Sequence, residues 1–434
     1  MACKLLIALA PVTLSIQLAV SQPLPPSQPA SGPGSSEYSH ASVTWTQLGS
    51  AAEAVSVFEP ADPAPDSAAL VIFLHGYGGV NPQVYGGWIR HLVRRGNIVI
   101  FPVYQNSLLN AVSYTSNALT GIQTALSFLQ SGGRVQPDLS KVVLIGHSLG
   151  GVIAANLATR SLSFTPLALF LANPADTNAS SPSLTPILEE ISLLPKELRL
   201  LAIVGNDDTL AGDTTARNIY LGAMQVRAKN RRLLTLFSDS YSSPEISADH
   251  NAPLSLDATF DSGFNLLGSG GQVSAADSMD FYGYWRFLDG LLEAAFLGGS
   301  SSYPPDPAGP VSMTSWSDGT AVQPALLEAL TPLAIASFTS KVKARKKTRI
   351  YLRFNSALLE QSLSSGIVRV TKGSKPIPVK TILSDGQLII RPLAKGGWPK
   401  RGRLTVEISA GLAAQGGVEL EDNSIVTVRI KKQS

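Results

Sequence analysis

The chain has 434 residues, 44% hydrophobic and 15% charged, with a formal net charge of +3; it is long enough for two or three domains with full cores. This composition argues against a largely disordered protein, and the near-neutral total makes no whole-chain case for nucleic acid. One cysteine, Cys3, and five histidines exclude an intramolecular disulfide framework and a zinc site built on Cys ligands, and argue against a His-rich metal centre.

Residues 1–21 (MACKLLIALAPVTLSIQLAVS) carry Lys4, an apolar stretch from Leu5 to Val20 and small Ala19 and Ser21 spaced as a cleavage site, the pattern of a secretory signal peptide. The rival reading, an uncleaved anchor, meets an apolar run short for a bilayer span and interrupted by Pro11, Thr13, Ser15 and Gln17. Residues 22–42 open with QPLPPSQPASGPGSS and read as a Pro/Ser/Gly-rich linker.

From residue 43 to about 299, short apolar runs alternate with longer amphipathic stretches. Strands are expected at Ala69–Leu74, Ile98–Phe101, Val142–Ile145, Leu167–Leu171, Leu200–Val204 and Leu233–Phe237. Helices are expected at Ser113–Gln130, Gly151–Arg160 and Asp280–Phe296. Continuous apolar strands alternating with helices define an α/β fold class, a mostly parallel sheet covered on both faces. Residues 300–332 read as a second linker. Residues 333–434 consist of β-type runs (RIYLRF, GIVRV, QLIIRP, RLTVEI, SIVTVRI) separated by turn signals and contain no His, which suits a small all-β sandwich.

The chemistry lies in the first region. Strand VVLI runs into Gly146-His147-Ser148-Leu149-Gly150-Gly151 and then an apolar helix. A Gly-x-Ser-x-Gly turn between strand and helix is where a nucleophilic serine sits on a strained backbone, the glycines admitting close backbone approach. A serine hydroxyl needs a base. His40 lies beside the linker, His75 and His147 belong to turns, and His91 falls in the helical run IRHLVRR, where a surface role is expected. Only His250, in SADHNAP, follows the serine in the chain, as the order Ser, acid, His requires. The acid should follow a strand between them. LAIVGNDDTLAG offers Asp207 and Asp208; Asp208 is the choice, Asp207 the alternative and Asp176 a more distant one. For the developing oxyanion, the backbone N–H groups of Leu149 and Tyr77 are expected to converge, Tyr77 lying in the loop His75-Gly76-Tyr77-Gly78-Gly79. His75 is expected to brace its own loop, and the Tyr77 ring to line the acyl site. No cofactor and no metal are called for.

LHGYGG, GHSLGG, GNDDTL and DHNAP occur in this order, and over residues 43–299 the chain resembles the α/β-hydrolase superfamily. Within it the sequence looks like secreted lipase, cutinase and polyester-hydrolase-type enzymes and their chlorophyllase and dienelactone-hydrolase-like relatives. It departs from them in lacking a disulfide and in having GHSLGG where polyester hydrolases often place Trp and Met. Residues 333–434 resemble a bacterial Ig-like module of surface proteins, which implies an extracellular origin and a spacer or attachment role. The expected function is a secreted serine esterase or lipase acting on a small-molecule, lipid or polyester substrate. The alternatives are a serine peptidase or amidase, and an inactive surface-binding protein that works through the module.

Charge divides unevenly. Up to Ala336 there are 15 basic and 25 acidic residues, a net of −10; beyond it there are 19 basic and 6 acidic, a net of +13. The run Lys341–Arg349 (KVKARKKTR) is expected either to attract anionic cell-surface polymers or to keep a strand edge solvated.

Overall fold

The computed structural model describes residues 22–177, 184–266, 273–297, 309–328, 333–343, 348–358, 360–364, 366–384, 386–414, 420 and 423–431. The expected signal peptide, residues 1–21, lies outside them.

The first body is a ten-stranded sheet built from β1 (Ser42–Leu48), β2 (Val55–Ala61), β3 (Ser67–Leu74), β4 (Asn97–Pro102), β5 (Gln136–His147), β6 (Ala168–Ala172), β7 (Arg199–Gly205), β8 (Arg231–Leu236), β9 (Gly309–Val311) and β10 (Ala325–Leu327), in the order β1-β2-β4-β3-β5-β6-β7-β8-β10-β9. The six strands from β4 to β8 are parallel, and antiparallel strands flank them on both sides. Each of the six expected strands is present, five of them within two residues of their expected ends, while β5 begins at Gln136, well before the expected Val142.

The apolar runs are continuous because both faces are covered. Along β3, Leu70, Ile72 and Leu74 face one layer with α2 (Ala111–Leu129), α3 (Leu149–Ala158) and α4 (Thr214–Gly222). Val71 and Phe73 face the other, with α1 (Gly86–Arg94) and α5 (Arg286–Leu297). Each such side chain contributes about 1.5–3 kcal/mol on burial. Trp88 and Trp285 are buried in that second layer. Among the described residues no helix is long and apolar enough to cross a membrane.

Two stretches read as linkers are packed. The Leu24 N–H donates to Ser317 Oγ (2.8 Å) and the Gly34 N–H to Asp289 Oδ2 (2.7 Å), Tyr282 donates to the Ser27 carbonyl (2.9 Å), and the Arg94 guanidinium lies 4.1 Å from the Tyr38 ring centre. Backbone groups and one aromatic anchor this segment, and a count of apolar residues misses both. Within residues 300–332, β9 and β10 extend the sheet and bring Val311, Met313, Trp316 and Val322 into its core, so this body continues to about Leu327. His91 is likewise not on the surface. It is 1% exposed, donates from Nε2 to Asp289 (3.0 Å), faces the Tyr38 hydroxyl with Nδ1 (3.2 Å) and stacks on Trp285. A histidine at a helix position reads as polar, but three partners from distant segments satisfy it here.

The second body is a two-sheet sandwich. One sheet joins β11 (Ile335–Phe338), β13 (Ile350–Phe354), β17 (Gln387–Pro392) and β16 (Val379–Ser384) in that order. The other has the order β12 (Lys341–Lys343), β19 (Ser424–Lys431), β18 (Gly402–Ile408), β14 (Val368–Lys372), β15 (Lys375–Pro376). Leu352, Leu388 and Ile390 from the first sheet and Leu404, Val406, Val428 and Ile430 from the second share one core.

Candidate active site

Strand β5 ends at His147, and Ser148 lies between it and α3 with φ 52° and ψ −121°. That left-handed conformation costs a non-glycine residue about 1–3 kcal/mol and lifts its side chain clear of both elements. Neighbouring glycines make the turn possible. A Cβ on Gly150 would meet the Leu74 carbonyl oxygen, one on Gly146 the Gly150 carbonyl, and one on Gly76 would sit 3.3 Å from Ser148 Cβ.

Ser148, Asp208 and His250 come together. Ser148 Oγ lies 2.8 Å from His250 Nε2, and His250 Nδ1 lies 2.8 Å from Asp208 Oδ2. With Nδ1–H donating to the carboxylate, Nε2 presents its lone pair to the serine O–H. All three residues are buried. Burial on its own would raise the Asp208 carboxyl, but the His250 ring and the Ala211 and Leu210 N–H groups outweigh it and hold the carboxyl below its usual range. Asp207 points to solvent, accepting from Asn206 Nδ2 (2.9 Å); it does not meet His250. The β7 end that carries both aspartates is held close to the His250 loop, for a Cβ on Gly205 would strike the Ala248 carbonyl.

The loop after β3 approaches from the other side. His75 Nδ1 faces the Gly76 carbonyl (2.7 Å), Nε2 faces the Val103 carbonyl (2.6 Å), and the ring stacks on Tyr104 at 4.0 Å. Burial pushes this histidine down to about 4 against the two carbonyl contacts, which favour the charged ring, and the ring braces the loop. Gln105 Oε1 accepts the Gly78 N–H (2.9 Å). Among the described residues, neither the Tyr77 N–H nor the Leu149 N–H, the latter at the first position of α3, is taken by a protein acceptor. The Tyr77 hydroxyl donates to the Leu108 carbonyl (2.6 Å), holding its ring in the cavity wall.

Three residues that sequence reasoning left out of the site tie these loops together. The Gly76 N–H donates to the Tyr85 hydroxyl (2.7 Å), which lies 2.8 Å from His147 Nδ1; His147 Nε2 lies 2.8 Å from the His250 carbonyl oxygen. A carbonyl accepts only, so Nε2 carries the proton and Nδ1 accepts from Tyr85. Burial, with His250 nearby, pushes His147 down to about 3, consistent with this single tautomer. Asn173, at φ 45° after β6, donates to the Asp249 carbonyl (3.0 Å) and to the His250 carbonyl (3.3 Å) and accepts the Gly205 N–H (2.9 Å). Local sequence holds no signal for Tyr85 or Asn173, because their partners come from elsewhere in the chain.

Ser148 opens into a cavity of about 320 Å³ lined by Tyr77, Val84, Leu210, Leu254 and Val273 with the amides Asn81, Asn251 and Asn265. Among the described residues no Lys, Arg, Asp or Glu lines it. The segment Leu254–Met279 contributes Leu254, Asn265 and Val273 to this wall. Trp88, Trp285 and Met224 do not line it. Among the described residues no cluster of His, Cys, Asp and Glu could hold a metal ion.

A family model described as Chlorophyllase matches residues 31–190, a span that includes the His75–Gly79 loop and the Ser148 turn and ends before Asp208 and His250. No curated protein matches the chain.

Proposed function

We propose that this chain, which belongs to the α/β-hydrolase superfamily, cleaves uncharged carboxylic esters through an acyl-enzyme on Ser148. The continuous contact from Ser148 Oγ through His250 to Asp208, 2.8 Å at each step, carries this reading. Ser148 Oγ attacks the ester carbonyl carbon as its proton passes to His250 Nε2, and Asp208 orients the ring and stabilises the imidazolium. The Tyr77 and Leu149 N–H groups receive the oxyanion, each contributing about 10²–10³ in rate. His250 returns its proton to the leaving alkoxide, and a water, deprotonated by the same ring, releases the acid and restores the serine. The uncharged lining of the cavity favours a neutral acyl group, and the match to the chlorophyllase model supports ester over amide chemistry.

The test compares wild type with Ser148→Ala on p-nitrophenyl butyrate and on the matching anilide. We expect the variant to lose on the order of 10³-fold or more of ester turnover, with the anilide a poor substrate for wild type. Equal ester turnover by both proteins would overturn the mechanism. The apolar leader at residues 1–21 supports export from the cell, which the N-terminal sequence of the mature protein in culture medium would check.

A further inference from the structure

In the five-stranded sheet of the second body, burial alternates along β12, β18 and β19. Val342, Val428, Ile430 and Leu404 point into the core, and their neighbours point out. The strand register then sets Lys341 and Arg403 on either side of Arg429, and Lys343 beside Lys431 in the next row. All five are exposed, and among the described residues none is held in an ion pair. Cations in lateral register, about 4.8 Å apart across strands, repel one another and weaken the sheet. Solubility does not require that arrangement, since Arg369 lies opposite Glu407 on the same sheet. The row next to the cations, toward Glu407, is Thr371, Thr405 and Thr427.

We propose that this face docks a linear acidic polysaccharide. Two cation rows about 7 Å apart along the strands offer positive charge to the carboxylates of an extended uronic-acid chain, and the threonine row offers hydroxyls to its sugar hydroxyls. Among the described residues the face carries no aromatic side chain on which a base could stack, and the exposed aliphatic Ile425 is too little to enter a bilayer. The site involves none of the residues around Ser148, so it stands apart from the ester-hydrolase reading. The basic run of the sequence takes part only through Lys341 and Lys343 on the edge strand β12; residues 344–347 lie outside the described residues.

The full chain and the triple variant Lys341→Gln, Arg403→Gln, Arg429→Gln are compared for binding to polygalacturonate, dextran, poly(U) and phosphatidylglycerol vesicles at low salt. Wild type should bind polygalacturonate and not dextran, with affinity falling steeply as salt rises. The variant should bind on the order of tenfold more weakly, with unchanged p-nitrophenyl butyrate turnover and an equal or higher Tm as the repulsion is relieved. Equal polygalacturonate binding by the two proteins, or no preference over dextran, overturns the proposal. Tighter binding to poly(U) or to the vesicles overturns it as well, assigning the face to nucleic acid or to membrane.

Discussion

The ring of His147 donates through Nε2 to the main-chain carbonyl of His250, 2.8 Å away, so the residue before Ser148 holds the backbone of the proposed base. The same ring accepts from Tyr85, whose hydroxyl takes the Gly76 N–H. One buried chain of hydrogen bonds thereby sets the mutual position of the His75–Gly79 loop, the Ser148 turn and the His250 loop.

Replacing His147 with Ala leaves the Tyr85 hydroxyl without its acceptor and costs the His250 carbonyl its best donor. The expected stability loss is about 1–3 kcal/mol. Turnover of p-nitrophenyl butyrate should fall on the order of ten- to a hundredfold, mostly in kcat, because binding surface is retained while the base is misplaced. Urea unfolding and a separate determination of kcat and KM check both halves.

Asp208→Asn and Asp207→Asn form a matched pair one residue apart. The first loses the carboxylate that sets the His250 tautomer, and kcat should fall on the order of 10³-fold or more. Asp207 is exposed and faces only Asn206, so its variant should keep activity within about twofold. Similar losses in both would remove Asp208 from its proposed role.

Acid should destabilise the fold through its buried neutral histidines. His147 takes a proton in the unfolded chain near the ordinary value of 6.5 but in the folded chain only near about 3. Its contribution is therefore present above pH 6.5 and is lost progressively as pH falls toward 3. Burial raises the Asp277 and Asp280 carboxyls, which acts with the opposite sign, so the difference from His147→Gln isolates the histidine. Below pH 6.5 wild type should lose stability relative to that variant by about 1.4 kcal/mol per pH unit, and the difference should be flat above it. Urea unfolding across that range reads the slope.

Asp289 gathers the Gly34 N–H, His91 and Arg95 on one oxygen, at the edge of the sheet where the parallel strands begin, opposite Ser148. Asp289→Ala should cost about 3 kcal/mol by leaving these donors buried and unpaired. It should expose the segment around Gly34 to thermolysin while p-nitrophenyl butyrate turnover per folded molecule is retained. Limited proteolysis followed by mass spectrometry locates the cut.

Much was legible in the chain alone. Alternating apolar strands and helices announced a covered parallel sheet, because a strand buried on both faces must be apolar at every position. The Gly-His-Ser-Leu-Gly turn and the only histidine downstream of it singled out Ser148 and His250, which the fold brings together, since strained turn chemistry and chain order are local, linear properties. Tertiary structure alone decided which aspartate meets His250, because Asp207 and Asp208 are neighbours in sequence and point to opposite environments. It also turned His91 inward, fastened the Pro-rich segment around Gly34 to α5, gave His147 and Asn173 their hold on the His250 carbonyl, and lined Lys341, Arg429 and Arg403 into one row. Each of these depends on partners far apart in the chain, and hydrogen bonds and strand register between such segments exist only once the chain has closed on itself.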